Sequence, residues 1–186
     1  MKFYKFLHEN KKDNNVGIFI LRGQPFHTGH YSIIKYMIKE CSSGYVFIVE
    51  GKKSSQDKEK NPLSGKERVD IIKSFVASNI KVLVVDSAFL PVIFTETYPE
   101  ELANIENKNV IIYGGADRDA GYRVIAQKLL KMGPNSVDFS KLDFDRESVS
   151  ATIIRNFIRD GKFDVAQKYL PYNISKIKNK ILNAKI

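Results

Sequence analysis

The chain has a single cysteine, Cys41, no tryptophan, and no apolar run that approaches the length of a membrane span. One thiol excludes an internal disulfide and a zinc site built from cysteines. A spanning helix would need about 18 consecutive apolar residues. Residues 1–15 carry Lys2, Lys5, Lys11 and Lys12 and lack the continuous apolar stretch of a secretory signal, so they read as a charged leader on a protein of the reducing cytoplasm. Acidic side chains are also scarce, 21 against 30 basic, for a net charge of +9. The excess is concentrated late, since residues 155–186 hold eight basic and two acidic side chains. A solvated helical face is the first account of that tail, steering of polyanionic nucleotides the second, and contact with nucleic acid the third.

The 186 residues, 43% of them hydrophobic, suffice for one domain with a substantial core, spanning 1–186 with a helical C-terminal part over 148–186. Residues 16–21 (VGIFIL) form a short unbroken apolar run that suits a strand buried on both faces. A loop over 22–27 follows, then Tyr31, Ile34, Met37 and Ile38 recur at helical spacing up to Cys41. The alternation continues with strands at 45–49, 81–85, 110–113 and, more weakly, 137–142. Helices fall at 65–77, near 99–105, at 122–130, 152–159, 163–169 and 174–182, with a polar loop over 51–61 and an irregular stretch around Pro91. Strands alternating with helices predict an α/β fold with a doubly wound parallel sheet. Ligands of such sheets bind beyond the carboxyl ends of the strands, here the loops after Leu21, Val49, Val85 and Tyr113.

Two of the three histidines stand in His27-Thr28-Gly29-His30, where the first strand gives way to the first helix. A helix start offers N–H groups and the positive end of the dipole to phosphates, and Gly29 lets a ligand approach the backbone. Imidazoles there can donate hydrogen bonds to phosphates as charge builds in a transfer reaction that asks mainly for positioning and electrostatics. Alone, the run serves equally well as a capped or solvated helix start. Late in the chain comes Ser148-Val149-Ser150-Ala151-Thr152-Ile153-Ile154-Arg155. Ser150 is a candidate N-cap, Thr152 a first-turn hydroxyl beside a second phosphate cradle, and Arg155 a charge clamp one turn on. Alone, this is a plain capping segment with an exposed arginine.

Together the two segments resemble the nucleotidyltransferase superfamily that carries HxGH near its N-terminus and S-x-T-x-x-R near its C-terminus. Within it, residues 22–30 (RGQPFHTGH) are similar to the R-F-Q-P-F-H-x-G-H run of nicotinamide mononucleotide adenylyltransferases, departing at Gly23. Residues 61–68 (NPLSGKER) resemble the N-P-F-T-A-G-E-R segment of archaeal-type members. The resemblance runs from about residue 16 to about residue 159 and implies a Rossmann-like HxGH fold with C-terminal helices. It implies Arg22 on the triphosphate, and His27 and His30 on the α-phosphate transition state and leaving pyrophosphate. Ser150, Thr152 and Arg155 would hold the β- and γ-phosphates, while Gly23, Gln24, Phe26 and Gly29 would complete the nucleotide site. Gly115-Ala116-Asp117 resembles a G-x-D loop, which makes Gly115 and Asp117 candidates for the nucleoside, although an aspartate in such a turn also serves simply to form it. Arg68 is a candidate phosphate contact or the partner of Glu67 and Asp70 in a surface ion pair. No residue is assigned to metal; magnesium would come with ATP, held by phosphates and water. Related nicotinamide-handling enzymes often stack an indole on the pyridine ring, and without tryptophan Phe89, Phe94, Tyr98 or Tyr113 would have to replace it.

The expected activity is transfer of AMP from ATP to nicotinamide mononucleotide or its acid form, with release of pyrophosphate. The nearest alternatives share the fold: a cytidylyltransferase acting on a phosphorylated alcohol, or a pantetheine-phosphate or flavin adenylyltransferase. A non-catalytic nucleotide sensor or nucleic-acid-binding module using the basic tail is the alternative of another class. The expected partners are a nucleoside triphosphate and a small phosphorylated acceptor, with nucleic acid ranked last and no membrane. A homo-oligomer is compatible with the sequence.

Overall fold

The structure, a computed structural model, describes residues 13–51, 56–114, 119–141 and 150–184. Five strands, β1 (Asn15–Leu21), β2 (Ser43–Val49), β3 (Ile80–Val85), β4 (Asn109–Gly114) and β5 (Ser136–Lys141), form a parallel sheet in the order β3-β2-β1-β4-β5. β1 lies at its centre, with Ile18 opposite Tyr45 of β2 on one side and Ile112 of β4 on the other. Helices α1 (Thr28–Glu40), α2 (Gly65–Lys73), α3 (Asp119–Leu130), α4 (Ala151–Arg159), α5 (Phe163–Gln167) and α6 (Lys178–Asn183) complete the regular elements, apart from short helical turns.

Why the sheet is wound on both faces is visible in β1. Side chains alternate sides along a strand. Phe19 and Leu21 accordingly join a core with Ile34 and Met37 of α1, Ile72 of α2, Ile154 and Ile158 of α4 and Ile181 of α6. Ile18 and Ile20 join a second core with Leu90, Ile93, Phe94 and, from α3, Tyr122 and Leu129. Both sets are needed because a strand apolar on both faces must be covered on both, and each fully buried aliphatic side chain contributes about 1.5–3 kcal/mol. No helix among the described residues is long and apolar enough to cross a membrane.

Several boundaries differ from the expected ones for local reasons. α2 stops at Lys73 rather than residue 77, where the Ser74 hydroxyl donates to the Ile71 carbonyl at 2.7 Å and competes with continued helix. The stretch around Pro91 is not irregular but helical, with Leu90–Val92, a π turn over Ile93–Thr97 and a 3-10 turn over Pro99–Asn104. The expected helix at 174–182 divides into a 3-10 turn, Ile174–Lys176, and α6. There the Asn173 side chain accepts from Ser175 N–H at 2.9 Å, and Gln167 bridges the Tyr172 carbonyl and Ile174 N–H, so side chains fix a turn that periodicity alone would continue.

Candidate active site

Strand order reverses between β1 and β4, which makes the carboxyl end of β1 the sheet's switch point. There the chain leaves β1 at Leu21, passes through 22–27 and enters α1 with His27 as N-cap. His27 and His30 stack with ring centroids 3.7 Å apart and 25° between planes. Phe26, fully buried, stacks behind His30 at 5.8 Å, and Phe19 tilts against it at 6.1 Å. Gly29 permits the pairing, since a Cβ there would stand 3.2 Å from His27 Cε1 and Nδ1. Of the first-turn N–H groups, that of Thr28 already donates to the Tyr169 carbonyl at 2.9 Å, so the C-terminal segment pins the start of α1. Those of Gly29 and His30 belong to the same turn, which has no acceptor within the helix.

Several residues expected to touch nucleotide are buried in the scaffold of the loop. Phe26 has no exposed surface and supports His30 instead of lining an open site. Gln24 is buried, and its amide reaches both backbone groups of Leu63, Nε2 donating to the carbonyl at 2.6 Å and Oε1 accepting from N–H at 3.0 Å. Gly23 is buried with φ at +61°, a conformation that suits glycine. Arg22 is exposed.

Arg68 is neither a free phosphate contact nor a surface ion pair. It is 1% exposed; Nη1 donates to the carbonyls of Arg22 at 2.6 Å and Val49 at 2.9 Å, and Nε to that of Ser64 at 3.1 Å. Its Nη2 pairs with Glu50 at 3.2 Å. Burial lowers its pKa and the Glu50 carboxylate works against that shift. One guanidinium thus ties together the loop after β1, the end of β2 and the start of α2. The surface pairs that Glu67 and Asp70 do make are with Lys180 at 3.0 Å and Lys66 at 3.5 Å. Glu67 also closes a capping box with Ser64, a Ser-x-x-Glu spacing readable in the sequence and not used there. Glu50, which also accepts from Gly65 N–H at 2.5 Å, had no local signal at all. Beside this brace lies a shallow, open recess lined by Gln24, Val49, Glu50, Lys58, Asn61, Leu63 and Arg68.

The late signature arrives at the same loop. Ser150 caps α4, its hydroxyl accepting from Ile153 N–H at 3.2 Å, and Thr152 is exposed in the first turn. Arg155, which as part of a plain capping segment would be exposed, is 7% exposed. Its Nη1 donates to the Gln24 carbonyl and its Nη2 to the Thr152 hydroxyl at 3.1 Å. Burial pushes its pKa down, the neighbouring Arg159 charge adds to that, and Asp57 and Glu59 oppose it. Among the described residues no carboxylate forms an ion pair with it. Buried charges are ordinarily paired, so this guanidinium is poised for an anion.

Gly115 and Asp117 lie outside the described residues; β4 delivers the chain to them from Gly114. Of the four aromatics considered for stacking, Phe94 is packed edge-on against Tyr45 and Phe47 in the core. Tyr113 is fully buried with its hydroxyl donating to Glu40 at 3.1 Å, and the Tyr98 hydroxyl donates to the Val84 carbonyl at 2.8 Å. Phe89, just past β3, is partly exposed, with Lys128 Nζ 5.0 Å from its ring centre. Among the described residues no three of His, Cys, Asp and Glu gather as a metal site.

The nicotinamide-nucleotide adenylyltransferase of Methanolobus tindarius is 42% identical over 55 residues, 30% of this chain and 31% of that protein, so the chain matches about a third of that relative's length. Among solved structures, a bifunctional NMN adenylyltransferase/ADP ribose pyrophosphatase of Francisella tularensis, complexed with AMP and a manganese ion, superposes with a TM-score of 0.59 at 18% identity, covering 91% of this chain and 48% of that one. The Plasmodium falciparum nicotinic acid mononucleotide adenylyltransferase complexed with NaAD gives 0.51 at 15% identity over 92% and 98% of the two chains. These likenesses establish a shared fold. A profile of the cytidylyltransferase-like family matches residues 20–157, which include both signature segments, the end of β1 and the other four strands, and the chain belongs to that family.

Proposed function

We propose that the protein is a nucleotidyltransferase that moves AMP from ATP to nicotinamide mononucleotide or nicotinic acid mononucleotide and releases pyrophosphate. The observation that carries this is the meeting of the two signatures: the stacked His27–His30 pair at the switch point, and the buried Arg155, in ion-pair contact with no carboxylate among the described residues, anchored on the Gln24 carbonyl of the same loop. An oxygen of the acceptor's phosphate attacks the α-phosphorus in line, and the bond from that phosphorus to the bridging oxygen breaks as pyrophosphate leaves. The attacking phosphate is largely ionised at neutral pH and needs no general base.

His27 and His30 donate to the α-phosphate and the leaving group, Arg155 and Thr152 hold the β- and γ-phosphates, and Ser150 fixes the helix start that presents them. Arg22 meets the triphosphate from the exposed side, Gly29 leaves room for it, and Gly115 and Asp117 contact the nucleoside. Magnesium arriving with ATP, held by phosphates and water, would supply charge neutralisation. The single buried Cys41 suits a reducing cytoplasm, and residues 1–186 act as one domain.

The 42% identity to a nicotinamide-nucleotide adenylyltransferase favours a pyridine mononucleotide as acceptor. The test is pyrophosphate release with ATP and then CTP against both pyridine mononucleotides, phosphopantetheine, flavin mononucleotide, glycerol 3-phosphate and phosphoethanolamine. A polar pocket discriminates by orders of magnitude, so one acceptor should dominate. Activity confined to a non-pyridine acceptor would remove the substrate assignment, and steep salt-dependent binding to RNA with no pyrophosphate release would remove the enzyme.

A further inference from the structure

Arg159 stands one helical turn beyond Arg155 on α4, so the two share a face. Both are deeply set, Arg155 with 7% of its surface exposed and Arg159 with 13% of its side chain. Two guanidinium groups side by side repel, and burial raises the cost of leaving either charge uncompensated. The carboxylates nearby are poorly placed to relieve it. Asp57 is committed to Lys60, accepting from its N–H at 3.0 Å and pairing with its Nζ at 3.1 Å. Glu59 is 60% exposed and meets Arg159 Nη1 only at 3.4 Å. Arg159 Nη2, by contrast, donates to the Glu59 main-chain carbonyl at 2.5 Å. One edge of this guanidinium is therefore fixed to backbone, while the other holds a solvated carboxylate at long range.

We propose that Arg159 is a second triphosphate-holding residue beside Arg155, and that the Glu59 carboxylate is a resident anion that ATP displaces from it. The assignment rests on the nucleotidyltransferase function proposed above. An exposed ion pair is worth ~0–1 kcal/mol, whereas a phosphate oxygen accepting from a buried guanidinium makes a stronger, charge-assisted bond, so the exchange is downhill. The carbonyl bond stays in place throughout and keeps Arg159 extended toward the ligand.

The test is calorimetric titration of the full-length protein with ATP and with AMP at fixed ionic strength. E59Q should tighten ATP binding ~3-fold and leave AMP unchanged, because it removes a competitor of a distal phosphate. R159A should weaken ATP ~10-fold or more and AMP less than ~2-fold. In the E59Q/R159A pair the gain from E59Q should vanish, a non-additivity that a merely structural role for Arg159 would not produce. Because Glu59 is exposed, E59Q carries the test even where R159A folds poorly. Unchanged ATP affinity in E59Q, or equal losses for ATP and AMP in R159A, overturns the assignment while the function stands. Wild-type protein that binds no ATP overturns both.

Discussion

Replacing His30 with alanine separates chemistry from architecture, because the structure lets both consequences be sized. The imidazole lies between the His27 ring at 3.7 Å and the Phe26 ring at 5.8 Å, with Phe19 tilted against it at 6.1 Å, so the substitution removes three ring contacts. At about 0.5–1.5 kcal/mol per aromatic pair the loss is about 1.5–4.5 kcal/mol. For a domain of this size each kcal/mol lowers Tm by about 2–4 °C, so the variant should melt several degrees early yet remain folded at about 25 °C. Loss of a donor aimed at developing transition-state charge typically costs ~10²–10³ in turnover. The expected result is therefore kcat lower by at least ~10²-fold, with a much smaller change in KM for ATP, since the donor acts chiefly in the transition state. Pyrophosphate release measured alongside a melting curve gives both numbers on one sample. A folded His30→Ala protein with full turnover would refute the role given to the histidine pair.

Arg155→Ala should weaken ATP ~10–100-fold, the usual effect of losing a hydrogen bond to a charged group, and AMP far less; equal losses in titrations of the two would remove Arg155 from the β- and γ-phosphates. A third prediction concerns pH and lies away from the site, at Glu101 in the turn after β3. Burial raises its pKa, but donation from Lys81, Tyr45 and Asn104 outweighs burial and holds the carboxyl below its ordinary range. A depressed folded pKa means stability that is present above the unfolded value and lost as pH falls through the folded one. Melting curves should show wild type ahead of Glu101→Gln at about pH 7, with the gap closing on acidification below the ordinary glutamate range; a gap independent of pH would contradict this.

Local pattern carried much of this protein. Continuous apolar runs such as 16–21 have no polar face to give to solvent, so the central strands and the parallel sheet followed from them directly. His27-x-x-His30 and Ser150-x-Thr152-x-x-Arg155 were visible because each is contiguous and each opens a helix. Boundaries at α2 and before α6 were not, because the Ser74 hydroxyl and the Gln167 and Asn173 side chains decide them through particular hydrogen bonds.

The division between sequence and tertiary structure is sharpest in three residues of similar appearance on the page. Gln24, Arg68 and Arg155 are polar groups in or near signature segments, and sequence could place all three near phosphate. Folding assigns them differently. Gln24 and Arg68 have their hydrogen-bonding groups taken up by Leu63, Arg22, Val49, Ser64 and Glu50, from segments up to 46 residues away. Arg155 crosses 131 residues to reach the Gln24 carbonyl and arrives with no carboxylate in ion-pair contact among the described residues. Residue type and spacing determine which groups can serve phosphate, because that depends on charge, donors and helix position. Which of them remain available for it depends on long-range pairing in a buried setting, and that is decided only once the chain has closed on itself.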